Sequence, residues 1–159
     1  MLFRSSGTGW SDNVTATYGS AMPAATAPTR TGYTFGGYYT VAGGAGTQYY
    51  TAAMASARNW DIAANTTLYA NWTANTYTVT YNGNGNTSGT APADQAKTHD
   101  VALTLRTNTG SLAKTGYTFS GWNTSASGTG TDYAEGASYT VNAAVTLYSK
   151  WTANTYTVT

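Results

Sequence analysis

The sequence predicts a mostly β protein built from small modules in tandem. Three observations carry that prediction. Of the 159 residues, 33 are Thr and 14 are Tyr, and β-branched and aromatic side chains suit a pleated, half-buried surface. Asn and the 18 Gly punctuate the chain where turns are needed. A long block also recurs nearly unchanged about 80 residues further on.

Composition limits the function classes. Only 8% of residues are charged, with a net charge of +1, against about 25% in an ordinary domain. There is no basic cluster, so the electrostatic footprint of a nucleic-acid binder is missing. No run approaches the roughly 18 apolar residues of a membrane-spanning helix. Without cysteine there is no disulfide and no thiolate for zinc or nucleophilic catalysis. The chain is not composed like a disordered one, since aromatics reach 14% and net charge is near zero. Met1-Leu2-Phe3-Arg4 leads straight into Ser5-Ser6-Gly7-Thr8-Gly9, without the apolar stretch of a secretory signal. The expectation is a piece of a longer exported chain.

The repeat organises the elements. Thr67-Leu68-Tyr69-Ala70-Asn71-Trp72-Thr73-Ala74-Asn75-Thr76-Tyr77-Thr78-Val79-Thr80 returns from Thr146 to Thr159 with 12 of 14 positions identical, at an offset of 79. Thr31-Gly32-Tyr33-Thr34-Phe35-Gly36-Gly37-Tyr38-Tyr39-Thr40 returns from Thr115 to Thr124 with 7 of 10 identical, at an offset of 84. The five-residue difference is an insertion in the first copy, near residues 52–58. This period exceeds the roughly 20–50 residues of a solenoid unit and suits a small repeated domain. The modules read as 1–73, lacking a full first strand, and 76–152, complete. Residues 153–159 read as the first strand of a following repeat.

Tyr77, Val79 and Tyr81 alternate with Thr78 and Thr80, the period of a half-buried strand. In the first copy only Leu2-Phe3 can stand in that place. Asn82-Gly83-Asn84-Gly85-Asn86 reads as a turn. Leu147, Ser149 and Trp151 form one face of a closing strand. Residues 100–106 are a further candidate strand, with Val101, Leu103 and Leu105 on one face. Gly116-Tyr117-Thr118-Phe119-Ser120-Gly121-Trp122 is open between a strand, pairing Tyr117 with Phe119, and a helical turn, bringing Phe119 to Trp122. The Ala-rich residues 52–58 are a candidate turn of helix. Only Thr73 to Thr76 lie between Trp72 and Tyr77, with no flexible Gly/Ser run, so an elongated array is expected.

Gly116-Tyr117-Thr118-Phe119-Ser120-Gly121-Trp122, then Thr146-Leu147-Tyr148-Ser149-Lys150-Trp151, resembles the internalin B repeat, also called the Listeria–Bacteroides repeat. The first copy has Tyr38 in place of Trp122 and Asn71 in place of Lys150. Residues 18–23 and 27–32 resemble that family too. The resemblance implies a β-grasp-like α+β module, a sheet packed on a short helix. It implies tandem copies on secreted or surface-attached bacterial proteins, acting as stalks, spacers or adhesion modules. It implies no catalytic residues and names no ligand.

Candidate sites are few. His99 is the single histidine, and with Asp100 and Asp94 nearby it still falls short of a zinc ligand set. It reads as a solvent-exposed loop residue. Asp132 and Glu135 align with Gln48 and Thr51 of the first copy and read as loop solvation. The Gly-rich stretches lack the Gly-Lys-Ser/Thr of a phosphate loop, and the acids lack calcium-loop spacing. Asn13, Asn65, Asn71, Asn86 and Asn123 head Asn-x-Ser/Thr triplets that this Thr-rich composition produces by itself. Trp10, Trp60, Trp72, Trp122 and Trp151 are possible sugar-stacking platforms, yet a small domain without staples needs its large side chains for its core. The aromatic core is therefore assigned to Tyr33, Phe35, Trp72, Tyr117, Phe119, Trp122 and Trp151.

The functional expectation is a non-catalytic structural or adhesion repeat at the bacterial cell surface, requiring no cofactor. Its partners are neighbouring repeats or identical chains, with a host or cell-wall glycan or protein as a further partner, and neither nucleic acid nor an inserted membrane. Two alternatives stand beside it. One is a filament subunit in which Tyr156, Thr157, Val158 and Thr159 complete the sheet of the next chain by strand addition. The other is a glycan-binding module.

Overall fold

A computed structural model describes residues 2–159. The chain divides into two compact units, Met1–Asn75 and Thr76–Thr159. Each is built on one mixed β-sheet.

In the first unit the strands are β1 (Leu2–Arg4), β2 (Tyr33–Tyr39), β3 (Gln48–Tyr50) and β4 (Thr67–Ala74), in the sheet order β1-β4-β2-β3. The second unit has β5 (Thr76–Asn82), β6 (Gln95–Thr98), β7 (Leu103–Thr104), β8 (Tyr117–Asn123), β9 (Asp132–Tyr133), β10 (Ser138–Tyr139) and β11 (Val145–Ala153). Its main sheet runs β6-β5-β11-β8-β9, and β7 pairs separately with β10. In both units the opening strand lies parallel to the closing one, β1 on β4 and β5 on β11. The remaining pairs are antiparallel.

Leu2-Phe3 does take the place of the longer opening strand. Phe3 lies opposite Leu68 as Tyr81 lies opposite Leu147, and all four side chains are buried. Period-two alternation explains the burial along β5, where Val79 and Tyr81 point into the core. The turn after β5 also forms as expected. Asn84 and Gly85 take positive φ, and the Asn84 N–H donates to Asn82 Oδ1 at 2.8 Å.

Three expectations are corrected. No α-helix occurs among the described residues, so the short helix beneath the sheet is absent. The nearest approach is a 3-10 turn at Ala42–Gly44, interrupted by Gly43 at φ 78°. The Ala-rich residues 52–58 are turns instead. Met54 takes φ 59°, the Thr51 N–H donates to the Ala55 carbonyl, and the Ala57 N–H reaches the Tyr49 carbonyl. Seven residues without a cap do not repay helix nucleation when a chain reversal offers the same hydrogen bonds. The candidate strand at 100–106 shrinks to Leu103–Thr104. Asp100 turns the chain at φ 57°, which leaves Val101 56% exposed while Leu105 is buried.

Residues 116–122 resolve their two alternatives in an unexpected way. They form a strand, yet Phe119 still meets Trp122, with ring centroids 5.1 Å apart. A β-bulge reconciles the two. Ser149 pairs with Trp122 and Trp151 with Phe119, so β8 holds one extra residue there. The first unit repeats the bulge, with Phe35 opposite Trp72 and Tyr38 opposite Ala70. The extra residue turns side chains three apart onto one face.

Candidate functional site

The feature built twice in this chain is an aromatic ladder across three strands. In the first unit Trp72 meets Phe35 at 5.4 Å, Phe35 meets Tyr38 at 5.2 Å, and Tyr38 meets Phe3 at 4.5 Å. The second unit runs Trp151, Phe119, Trp122, Tyr81, at 5.7, 5.1 and 4.7 Å. Such tilted and edge-on pairs contribute about 0.5–1.5 kcal/mol each beyond the area they bury.

The bulge glycines make the ladder possible. Gly37 and Gly121 sit at φ 110° and 109°, where L side chains are strained. A Cβ at Gly37 would come within 2.3 Å of the Tyr50 carbonyl oxygen, and one at Gly121 within 2.6 Å of the Tyr133 carbonyl oxygen. This explains the Gly before Tyr38 and before Trp122.

Polar groups fasten the same frame. The Trp122 Nε1–H donates to the Arg106 carbonyl at 2.8 Å, and the Arg106 N–H donates to the Tyr81 hydroxyl at 2.8 Å. In the first unit the Tyr50 hydroxyl donates to the Pro23 carbonyl at 2.7 Å. Asn75 and Asn154 each close a unit with one pattern. Their N–H groups donate to the carbonyls of Gly32 and Gly116, both at 2.9 Å. Their side-chain oxygens accept from Thr34 and Thr118 at 2.8 and 2.7 Å.

The assigned aromatic residues fall into three positions. Trp122 is fully buried, whereas Phe35, Phe119 and Trp151 are half-buried and pack against the two cores. Trp72 is half-buried on Phe35. Tyr33 and Tyr117 are corrected, since they start their strands opposite Ala74 and Ala153, beyond the end of the core. Tyr117 is 42% exposed, under the Lys114 ammonium at 4.7 Å. Tyr33 is half-buried, with the Arg30 guanidinium 3.6 Å over its ring. Sequence reasoning missed Tyr38, Tyr49, Tyr50 and Tyr139, which are all in the core. The Tyr38–Trp122 alignment was the signal that marked the first of them.

His99 is corrected as well. Its side chain is 11% exposed rather than open to solvent. Nδ1 lies 3.0 Å from the Tyr77 hydroxyl and Nε2 lies 3.5 Å from Asp100 Oδ1. Asp132 and Glu135 have separate structural tasks. Asp132 pairs with Lys150 and accepts from Asn123 Nδ2 at 2.6 Å. The Lys150 hydrogen bond, followed by that of Asn123, holds its carboxyl below the usual 3.8. Glu135 Oε2 accepts from the Asn108 N–H at 2.6 Å. Among the described residues no group of three or more His, Asp or Glu is placed to hold a metal ion. The first unit has a concavity of about 520 Å³ whose walls include Arg30, Tyr33, Phe35 and Trp72.

The Listeria-Bacteroides repeat domain matches this sequence twice, over residues 2–71 and 77–150. The chain belongs to the Listeria-Bacteroides repeat family. The two matches follow the two copies of the ladder. Internalin H of Listeria monocytogenes is 34% identical to this repeat chain over 137 residues, covering 81% of it. Two proteins of Evansella cellulosilytica are also similar. One, provisionally named a membrane protein, is 35% identical over 89% of the chain. The other, provisionally named a Gly-rich membrane protein, is 38% identical over 81%. The chain spans 15% to 21% of the length of these relatives. No solved structure matches it. Among the described residues no helix is long and apolar enough to cross a membrane.

Proposed function

We propose that this chain is a non-catalytic structural segment of a bacterial extracellular surface protein, a stalk or spacer that holds other parts at a distance. The carrying observation is the join. A single residue, Asn75, separates β4 from β5, and its backbone and side chain are both hydrogen-bonded to the first unit. A link this short favours a spacer, where a Gly/Ser linker would loosen it. The repeated ladder and the similarity to internalin H support the same reading. Small-angle scattering tests it. The chain should scatter as one elongated particle, and a Gly-Ser insertion after Asn75 should broaden its distance distribution. Identical curves for the two would count against a spacer. Surface labelling of intact cells carrying the full-length protein tests the location.

Strand addition is the second reading. Tyr156 and Val158 match Tyr77 and Val79 in the repeat, yet they are 77% and 96% exposed while Val79 is fully buried. The segment 156–159 carries the pattern of β5 without its pairing. Sedimentation should then show association that disappears when residues 156–159 are deleted. An unchanged size after deletion would exclude it.

A further inference from the structure

A group of three side chains in the second unit plays no part in the aromatic ladder. Lys97 lies on β6 opposite Tyr77, and its side chain is fully buried. Its Nζ donates to the Thr98 carbonyl at 2.7 Å and to Asn142 Oδ1 at 2.9 Å. The same Oδ1 accepts the Asp100 N–H at 2.9 Å. Asn142 Nδ2 donates to Asp100 Oδ1 at 2.8 Å. Asp100 takes φ 57°, and in that conformation its N–H and its carboxylate both address one amide.

Each of these groups matches a requirement of acyl transfer. An amine lies against the amide, its carbon about 1.2 Å beyond Oδ1. A backbone N–H already points at the oxygen on which negative charge would develop. A carboxyl group touches the nitrogen that would leave. The three are held in place, which lowers the entropic part of the barrier. We infer that Lys97 and Asn142 are a cross-linking pair, joined by an amide bond between the lysine Nζ and the asparagine Cγ, with Asp100 as the catalytic acid–base.

The step balances without an oxidant or a co-reactant. The Lys97 ammonium gives up one proton to the Asp100 carboxylate, and its free amine adds to Asn142 Cγ. The tetrahedral oxygen is held by the Asp100 N–H. The Asp100 carboxyl returns a proton to Nδ2, the Cγ–Nδ2 bond breaks, and ammonia leaves. Nζ loses its second proton as the new amide forms, and the ammonia departs as ammonium. The Asp100 side chain is 61% exposed, which gives the leaving group a way out.

The first unit is an internal control. Trp60 aligns with Tyr139 at the offset of 79, so Ala63 stands in place of Asn142, and residues 1–75 contain no lysine. The bond would tie the sheet-edge strand β6 to the segment entering β11, closing a span of 45 residues. A covalent tie at that point suits a chain that bears load, though the inference rests on the side chains and not on the spacer reading.

Mass spectrometry of the folded full chain decides it. The expected intact mass is below the sequence mass by one ammonia, about 17 Da. Proteolysis should release one joined peptide holding both Lys97 and Asn142. Lys97→Met and Asn142→Ala should each restore the mass expected for its own sequence and separate the peptides. Asp100→Ala should slow the joining at least tenfold. A chain of full mass with the peptides separate would overturn the proposal. So would an ammonia loss mapped to an Asn-Gly step such as Asn82-Gly83, with Lys97 unmodified.

Discussion

Gly121 shows how one residue decides the packing around it. Its positive φ and its approach to the Tyr133 carbonyl leave no room for a side chain. Gly121→Ala should therefore cost the second unit roughly 2 kcal/mol, read as a lower melting temperature. An unchanged melt would mean that the bulge is not required. The glycine was visible in the sequence, and so was the Phe-x-Gly-Trp spacing. The backbone conformation that joins them was not. Period-two reasoning assumes one residue opposite one residue, and a bulge breaks that assumption. Tyr117 was misplaced for a related reason. It shares the parity of Phe119, but parity says nothing about where the core ends along a strand.

At the scale of elements, the two closing strands make a natural comparison. Trp151 on β11 donates through Nε1 to the carbonyls of Gly83 and Asn84, at 3.2 and 3.1 Å. The Nε1 of Trp72 on β4 is buried without a hydrogen-bond partner. Both indoles pack on a phenylalanine. Replacing each by Phe removes similar area, but only Trp151→Phe leaves carbonyls unpaired. It should cost about 1 kcal/mol more than Trp72→Phe, measured by chemical denaturation of the full chain. Equal costs would show that the two aligned tryptophans are energetically equivalent. Element type was legible along β5 and β11, where the alternating residues do form strands of seven and nine residues. It failed at residues 52–58 and 100–106, where backbone hydrogen bonds of turns outweighed propensity. Those bonds reach to residues the local pattern does not include. The Asp132–Lys150 pair across β9 and β11 has a defined acid limit. The Asp132 carboxyl is held below 3.8, so its contribution is present above that pH and fades as the pH falls through the lowered value.

The whole molecule should respond to alkali through its tyrosines. Burial pushes Tyr38 and Tyr50 from 10.0 up to about 12, and burial followed by the Asp61 hydrogen bond does the same for Tyr49. A raised value means that the folded state holds the proton more tightly. The stability they contribute is complete below pH 10 and is lost as the pH climbs towards 12. Tyr81 and Tyr139 are raised in the second unit, again mainly by burial. Tyrosinate absorbance from the buried residues should thus appear only as the pH climbs towards 12, together with loss of structure. One simple titration of all 14 tyrosines near pH 10 would contradict the packing described. The tandem organisation was legible in the sequence, because a long identical block survives any detail of conformation. The Lys97–Asn142–Asp100 group was not, because its members stand 42 and 45 residues apart and meet only through the fold.

The spacer reading requires the two units to reorient together, and 15N relaxation of the full chain measures that directly. Amides of both units should report one common rotational correlation time and one elongated diffusion tensor. If each unit tumbles with its own shorter time, the chain is a pair of loose beads and the spacer account is wrong.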